Sequence, residues 1–496
     1  MSNYQKIRIL HRIADPLSHI KATEPTNKGS KRIHLKNFSK KTKILATTGF
    51  IVIILASLFV FLQTQTPQNI DTSAATPNAT KPSATSNNKE TPDSTSTHTT
   101  PKASNTSPDP DRVVKEPGFL GTTQTIDPTT WRTIANFAWN YFKPSVGVDK
   151  TTGLPKSGVD APCFTDWDLG VYIQATIDAE KIGLINRTET WGFNERINKV
   201  LDWLETRELN KANNPYWFYR SDTGGVFRDN SDIMPDDYID IIDTGRMFVA
   251  LNNLRKYNEY TTRVENITLH GQEYNRTNYA NLIPTIKPWA EADMSIYAYY
   301  IASGFAAFWP ELKASPGKVL DNIFSSEYIA VSGNVMLPRA AISCEPLLCA
   351  FFEIENNDPR LTTLVNMTYS AHEAHYNITG KFRAFGEGPA SPTSGAGWQW
   401  EWVVLADGRT WTVLDSDQNA MNVSPMVYTK IAYSFLAIYN TNYTKNMCLF
   451  LDQPTHELVE GFGHGVDEDG KRRYGSGELT NGLILGAARY YLEHNS

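Results

Sequence analysis

The chain has 496 residues, with 47 Lys and Arg against 53 Asp and Glu, and a formal net charge of −6. Its first 43 residues hold eleven Lys or Arg and two acids, about +9, so the remainder carries about −15. This distribution argues against nucleic acid as a partner of the main domain.

An uncharged run of 19 residues, 44–62, follows the basic segment. It is long enough to cross a bilayer as a helix. Because basic residues precede it and no lysine follows before Lys81, the positive-inside rule predicts residues 1–43 in the cytoplasm and the C-terminal bulk outside, at the cell membrane. A cleaved signal peptide fits less well, because the basic region is long and the apolar run exceeds a usual signal core. A buried core helix is the other alternative, but its neighbours lack the residues to cover it.

Between this run and the main domain lies a segment poor in large apolar residues. Ser and Thr occupy about 19 of the 47 positions from 64 to 110, and such a segment cannot bury enough surface to offset the entropy of ordering. We therefore predict a disordered stalk over 63–117 and a folded domain over 118–496. Nine glycosylation sequons beyond the apolar run suit a surface glycoprotein: Asn78, Asn105, Asn186, Asn266, Asn275, Asn366, Asn377, Asn422 and Asn442.

Four cysteines are compatible with a location outside the cytoplasm. Cys344 and Cys349 are close enough in sequence for a short-loop disulfide, which leaves Cys163 and Cys448 as a second pair. Four cysteines permit three pairings, and free buried thiols are an equal alternative.

Apolar periodicity and capping residues predict a series of helices through the main domain. One opens at Asp127, and alternation typical of a strand is clear over Trp398–Trp402. Helices in series with short returns form αα-hairpins, so we predict an all-α domain, an (α/α)₆ toroid whose helix ends and loops meet at a central funnel. The other predicted helices cover 166–183, 190–204, 235–256, 276–303, 345–375, 425–439, 444–452 and 477–493.

The stretch P-D-D-Y-I-D-I-I-D-T-G-R is the most suggestive of these. Asp236, Asp240 and Asp243 share one stripe of a helix, and apolar residues occupy most other directions. A helix that is apolar on nearly all sides is buried, and buried carboxylates need partners or a cleft to face. The acids either face a substrate cleft or act structurally, with Asp236 and Asp237 as caps and Asp243 paired with Arg246.

Three other stretches place acids at predicted helix starts or turns. Asp166 and Asp168 flank Trp167, where helix capping competes with a role in substrate binding. Glu345 precedes a very apolar helix and either caps it or faces the funnel. Glycines on both sides of Glu387 let the backbone turn tightly and expose its carboxylate, although a plain surface turn would have the same sequence.

The tryptophan-rich strand has a second candidate function. A period of two places Trp398, Trp400 and Trp402 on one face and Gln399 and Glu401 on the other. Sugar rings stack their C–H faces on aromatic side chains, and their hydroxyls bind carboxylates, amides and Arg. The strand is therefore either a stacking platform beside an acid or part of the core.

Metal and cofactor motifs are weak. His372 and His375 have a spacing that permits shared ligation, but a third ligand is missing, so packing or substrate contact is favoured over zinc. The acidic run 466–470 lacks the later ligands of a calcium loop and is read as a solvated loop. The sequence has no phosphate-binding glycine loop and no dinucleotide fingerprint, so we predict no metal and no cofactor.

Four segments together resemble the DUF3131 family over most of residues 125–490. They read T-D-W-D-L-G-V-Y-I-Q-A-T-I-D-A-E-K-I-G-L-I, I-D-T-G-R-M-F-V-A-L, Y-S-A-H-E-A-H-Y-N-I-T-G-K-F-R-A-F-G-E-G-P and Y-T-K-I-A-Y-S-F-L-A-I-Y-N-T-N-Y-T. This family is close to glucoamylase-like (α/α)₆ proteins, so the resemblance implies a glycoside hydrolase or transglycosylase. His372 and His375 depart from the family pattern. Positions on the pattern are Asp168, Asp243, Arg246, Glu345, Glu387 and Lys430.

These observations predict a membrane-anchored glycoside hydrolase that acts on a polysaccharide or cell-surface glycan outside the cell. Cleavage of a glycosidic bond needs two carboxyl groups. Glu387 is the predicted acid and Asp236 with Asp237 the predicted base or nucleophile, with Glu345 and Asp168 also in the pool. The alternative is a non-catalytic glycan-binding or cell-envelope scaffold protein. A polysaccharide lyase suits a negatively charged domain less well, because that domain would repel an acidic polymer.

Overall fold

The computed structural model of the protein describes residues 126–355, 358–457 and 460–495. The predicted basic tail, membrane helix and stalk lie outside these residues. Within the described ranges, no helix combines the length and apolar character that a bilayer crossing requires.

The described residues form a helix-rich domain, and we number its α-helices in chain order. Short 3₁₀ helices lie at Gly271–Tyr274, Tyr279–Leu282 and Pro310–Leu312. The α-helices are α1 (Pro128–Trp139), α2 (Asp166–Lys181), α3 (Phe193–Thr206), α4 (Arg228–Ser231), α5 (Ile241–Leu254), α6 (Asn258–Thr268), α7 (Ile283–Ala292), α8 (Ile296–Ala306), α9 (Ser315–Ser325), α10 (Cys344–Glu353), α11 (Pro359–Thr379), α12 (Thr429–Tyr439), α13 (Asn442–Thr455) and α14 (Glu478–Asn495).

Six helices form a closed inner ring. Helices α2, α5, α8, α10, α12 and α14 each pack against the next in this order, and α14 packs back against α2. The helices that alternate with them in the chain, α1, α3, α6, α9, α11 and α13, each pack against one inner neighbour from outside. The toroidal arrangement predicted from helices in series is the one the described residues adopt.

Composition explains why the inner helices are inside. Every residue of α2 from Asp166 to Ala179 is buried, and most of these residues are apolar. Glycines let neighbouring inner helices approach closely. A Cβ atom on Gly304 of α8 would lie 2.1 Å from the carbonyl oxygen of Gly245 in α5, so a larger side chain there would push the two helices apart.

The predicted all-α class needs a correction, because four small antiparallel sheets accompany the helices. They pair β1 with β2, β3 with β4, β6 with β5 and β7, and β10 with β8, β9 and β11. The strands are β1 (Cys163–Phe164), β2 (Tyr219–Arg220), β3 (Tyr328–Ser332), β4 (Val335–Pro338), β5 (Glu387–Pro389), β6 (Trp398–Val404), β7 (Thr410–Leu414), β8 (Met426–Tyr428), β9 (His456–Glu457), β10 (Gly461–Asp467) and β11 (Arg472–Ser476). Apart from β6, these strands are too short or too irregular for periodicity to reveal them.

Several predicted helix boundaries shift for local reasons. The helix predicted over 235–256 begins at Ile241, because the Asp240 side chain accepts hydrogen bonds from the next backbone N–H groups and caps it. The pattern over 276–303 splits before α8, where Ser295 is the N-cap. The pattern over 345–375 splits before α11, where Asp358 caps a helix that begins with Pro359.

Candidate active site

The first turns of five inner helices border a cleft with a volume of about 1010 Å³. The residues that reach it from these turns are Asp168 in α2, Asp243 in α5, Tyr297 in α8, Lys430 in α12 and Glu478 in α14. Helix N-termini carry partial positive charge and favour anionic groups nearby. The inner ring therefore makes this end of the toroid a suitable place for carboxylates.

Glu387 is one of the buried carboxyl groups of the cleft. It begins β5, lines the cleft and is buried. The phenol of Tyr297 donates a hydrogen bond to its Oε2 over 2.5 Å. Burial, followed by the negative charge of Glu345, raises the pKa of Glu387 to about 7. Glu387 therefore exchanges its proton near neutral pH.

A buried ion pair lies next to Glu387. The Lys430 ammonium pairs with Oε2 of Glu345, and both side chains are almost completely buried. The same Glu345 oxygen accepts a hydrogen bond of 3.3 Å from the backbone N–H of Glu387. Lys430 lines the cleft, whereas Glu345 lies behind the lining residues. Glu345, predicted as a catalytic candidate, is placed to hold Lys430 and the Glu387 backbone.

His372 supports the segment that leads into β5. Its Nδ1–H donates to the carbonyl oxygen of Thr368 over 2.8 Å. Its Nε2 accepts a hydrogen bond from the backbone N–H of Phe385, two residues before Glu387. Burial lowers the pKa of His372 to about 3, so the ring stays neutral and keeps this donor–acceptor arrangement.

A second carboxyl pair lines the cleft at the starts of α2 and α14. Asp168 and Glu478 share a hydrogen bond. Asp168 also accepts a 2.7 Å hydrogen bond from the backbone N–H of Thr165, in a capping box. Burial raises the pKa of both groups, and the Asp168 charge raises that of Glu478 further. The hydrogen bonds that Asp168 accepts oppose the rise of its pKa. The proton that the two carboxyl groups share therefore resides on Glu478, and the negative charge resides on Asp168.

Asp243 is a fourth buried acid in the cleft, after Glu387, Asp168 and Glu478. Burial raises its pKa well above the ordinary value, and the nearby charges of Asp240 and Asp168 raise it further. A hydrogen bond with Thr165 opposes this rise. Thr165 thus contacts both Asp168 and Asp243 and links the starts of α2 and α5.

Five tryptophans contribute to the apolar part of the cleft lining. The side chains of Trp398 and Trp400 are half-buried, and their ring centroids are 6.3 Å apart. Strand register places Trp400 opposite Glu387. Such surfaces suit the C–H faces of sugar rings. The five are Trp167, Trp217, Trp398, Trp400 and Trp402.

The structure does not bring the predicted Asp236 and Asp237 to the cleft. Both lie in the loop before α5, and Asp236 forms a 2.7 Å ion pair with exposed Lys211. Asp166, predicted to bind substrate, is buried against Arg207 at 2.5 Å instead. All three residues lie either just before the helix turns that border the cleft or behind those turns. Their carboxyl groups therefore do not line the cleft.

Two other predicted substrate contacts also lie outside the cleft lining. Arg246 is buried and pairs with Glu353 at 2.7 Å, and not with Asp243. Glu401 is fully buried, accepting hydrogen bonds of 2.6 Å from the Gln399 amide and from the Met426 backbone N–H. The alternation of β6 is as predicted, but the acidic face points into the core.

Features weighed as metal or disulfide sites have structural explanations. In the described residues, no group of three or more His, Cys, Asp or Glu has an arrangement suited to a metal ion. The four cysteines are free and buried. Asp467 in the acidic run 466–470 accepts hydrogen bonds from the backbone of residues 469 and 471 and closes the turn between β10 and β11.

Three cleft residues escaped sequence reasoning. Tyr297 follows the Ser295 cap of α8, and Glu478 follows Ser476-Gly477 at the start of α14; both positions were readable as helix starts. Arg473 lies in β11, a strand whose short, charged sequence gives no alternation. A search for polar residues in the first turns of all inner helices would have found the first two.

The model of the family described as "Protein of unknown function (DUF3131)" matches residues 133–494. None of the curated proteins compared with the chain matches it.

Among solved structures, the chain is similar to an endo-beta-1,2-glucanase from Chitinophaga pinensis in complex with sophorotriose and glucose. Identity is 12% and the TM-score is 0.51, over 74% of this chain and 93% of that one. It is also similar to an endo-beta-1,2-glucanase from Talaromyces funiculosus in complex with sophorose. Here identity is 8% and the TM-score is 0.50, over 74% of this chain and 85% of that one. At these identities the similarity concerns the fold.

Proposed function

The chain belongs to the DUF3131 family, and we propose that it is a glycoside hydrolase that cleaves a polysaccharide in the tryptophan-lined cleft. One observation carries the proposal: Glu387 is a buried carboxyl with a pKa of about 7, in a cleft that also holds a second carboxyl pair. Glycosidases need two such groups in different environments.

In this proposal Glu387 is the general acid. At neutral pH a large fraction of Glu387 carries a proton that it can transfer to the glycosidic oxygen as the bond to the sugar breaks. Tyr297, which donates to Oε2 of the ionised group, stabilises the carboxylate left after transfer. Tyr297 is therefore a positioning residue for the acid.

Asp168 supplies the second carboxyl group. Its negative charge is held by the Thr165 backbone N–H and by the proton on Glu478. Lys430 interacts electrostatically with both Glu387 and Glu478, so its positive charge lowers the pKa of a carboxyl group in each of the two centres. This arrangement supports cleavage between Glu387 and Asp168, with Asp168 in the role that sequence reasoning gave to Asp236 and Asp237.

A β-linked glucan is the first substrate to test. Trp398 and Trp400 offer stacking surfaces, and a cleft of about 1010 Å³ accommodates several sugar rings. The two endo-beta-1,2-glucanases of similar fold support β-1,2-glucan within this class.

We also propose that the enzyme works outside the cell at the end of a glycosylated stalk. The support is in the sequence: the basic segment 1–43, the apolar run 44–62 and the Ser/Thr-rich segment that follows. Protease treatment of intact cells should release the C-terminal domain and leave a small membrane-bound fragment. Resistance of the whole chain to external protease would contradict this orientation.

The activity test uses the purified full-length protein with a panel of α- and β-linked glucans, mannans and galactans. Released sugars are measured by chromatography for the wild type, Glu387→Gln and the control Asp236→Asn. We expect release by the wild type and by Asp236→Asn, and a loss of about 10²–10⁴-fold in Glu387→Gln. NMR of the first product anomer then assigns inversion or retention.

Each other outcome has a defined meaning. Hydrolysis that survives Glu387→Gln would remove Glu387 from the role of acid. Retention on one polymer without hydrolysis would favour the non-catalytic glycan-binding alternative, which keeps the tryptophan surfaces and needs no acid.

A further inference from the structure

Arg473 is a cleft residue whose charge the proposed hydrolysis does not use. It lies in β11, opposite Gly465 of β10, and lines the cleft while half-buried. Its electrostatic neighbours are Tyr428 and His464, which also line the cleft. The guanidinium therefore faces the same space as the proposed catalytic groups.

Three cationic side chains line the cleft in the described part of the chain, and they differ in their partners. Arg409 pairs with Asp407 at 2.8 Å, and Lys430 pairs with Glu345. Arg473 has no carboxylate partner among the described residues. Burial lowers its pKa, and Tyr428 is the one group that opposes this effect.

The surroundings of Arg473 do not compensate its charge. Burial lowers the pKa of His464 to about 3, and the charges of Lys430 and Arg473 lower it further, so the imidazole is neutral and adds no negative charge. A partly desolvated cation without a counter-ion is costly. An anion that entered the cleft would remove this cost.

Arginine also specifies the kind of anion. Its planar fork of N–H donors matches the two oxygens of a carboxylate or phosphate, and charge-assisted hydrogen bonds of this type are strong. A neutral sugar offers hydroxyls, which would satisfy the donors and leave the charge uncompensated.

We propose that Arg473 binds an anionic substituent on a sugar of the substrate, a carboxylate or a phosphate ester. The natural polymer would then carry such a substituent on some of its sugars, and Arg473 would bind it locally against the repulsion that the net negative charge of the domain exerts on a highly acidic polymer. The proposal rests on the proposed function for the identity of the ligand as a sugar, and it adds a class of substituent to that function.

The test measures binding and not turnover, so that it is independent of hydrolysis. Glucose, glucuronate and glucose 6-phosphate are titrated by calorimetry into the full-length Glu387→Gln protein. The same titrations are made with Arg473→Gln, Arg473→Lys and Lys471→Gln added to it. Lys471 is an exposed cation next to β11 that does not line the cleft, so it controls for general charge attraction.

We expect at least one anionic sugar to bind about tenfold more tightly than glucose, the size of one charge-assisted hydrogen bond. Arg473→Gln should abolish the preference and leave the affinity for glucose unchanged. Arg473→Lys should keep part of the preference, because it retains the charge but not the fork. Lys471→Gln should keep all of it. The relative affinities of glucuronate and glucose 6-phosphate distinguish the two anions.

Equal affinities for the neutral and anionic sugars, or no binding of either anion, would overturn the proposal. A similar loss for all three sugars in Arg473→Gln would also overturn it, since the arginine would then bind sugars in general. If the preference is found but the wild type hydrolyses neither the neutral polymers of the panel nor a polymer that bears uronate or phosphate groups, the anion site stands and the proposed hydrolase activity fails.

Discussion

The Tyr297 hydroxyl donates to Oε2 of Glu387 over 2.5 Å, and this contact connects the start of α8 to the start of β5. A hydrogen bond to the ionised form lowers the pKa of a carboxyl group. At Glu387 burial has the opposite and larger effect, and it raises the pKa. The pKa of about 7 is therefore a balance between burial and a small number of polar contacts.

Removal of the Tyr297 hydroxyl should change the pH dependence of activity. In the wild type we expect kcat/KM to fall above about pH 7, as Glu387 loses the proton that it must donate. In Tyr297→Phe the pKa of Glu387 should rise, and the alkaline limb should move up by about one pH unit. A kcat/KM profile between pH 4 and 10 measures both. An unchanged alkaline limb would mean that another group is the acid.

Glu387→Gln should make the protein more stable at alkaline pH. The pKa of Glu387 is about 7 in the folded state and near 4 in the unfolded state. Below about pH 4 the group is protonated in both states, so its ionisation does not change the free energy of unfolding. As pH rises to about 7, the unfolded state ionises first and the wild type loses stability. The variant avoids this cost, on the order of 3 kcal/mol.

Urea unfolding of both proteins at pH 4, 6 and 8 tests this expectation. The difference in the free energy of unfolding should be small at pH 4, intermediate at pH 6 and largest at pH 8. A difference independent of pH would show that the amide changes packing and not the cost of ionisation.

The sequence was informative wherever a feature depends on neighbours in the chain. The inner helices α2 and α14 were predictable because their apolar periods and caps are local. The glycines beside Glu387 predicted a tight turn with an exposed carboxylate, whereas Glu387 begins strand β5 and is buried where it lines the cleft. The period of two in β6 gave the correct alternation of Trp398 and Glu401. It did not show which of the two faces of the strand lines the cleft.

The remaining errors come from contacts between distant segments. Asp236 and Asp237 were the predicted caps, but Asp240 caps α5, because the start of this helix depends on how it packs in the ring. Glu478 gained its partner Asp168 through closure of the ring by α14 against α2. Local periodicity contains no information about such closure.

Asp168 and Glu478 should respond differently to substitution. Asp168→Asn removes the proposed ionised carboxyl and should lower kcat by about 10²–10⁴-fold. Glu478→Gln should keep most of the activity, because glutamine also offers a donor to Asp168. Glu478→Ala removes that donor, so the pKa of Asp168 should rise and the acid limb of kcat/KM should move to higher pH. Greater loss in Glu478→Gln than in Asp168→Asn would reverse the two roles.

The buried pair between Arg246 and Glu353 should matter for stability and not for the pH dependence of activity. The pair lies at 2.7 Å, and the Tyr300 hydroxyl donates to the same Glu353 over 2.5 Å. Arg246→Leu leaves a buried carboxylate without its cation, which costs about 3–5 kcal/mol in such pairs.

Denaturant unfolding measures this cost, with Arg187→Ala as the control. Arg187 forms exposed pairs with Glu180 and Glu259, and surface pairs contribute about 0–1 kcal/mol. The double variant Arg246→Leu/Glu353→Leu should recover part of the stability, because it leaves no buried charge. Both pH limbs of kcat/KM should stay where they are in the wild type. A shifted limb in Arg246→Leu would connect this pair to the carboxyls at the cleft.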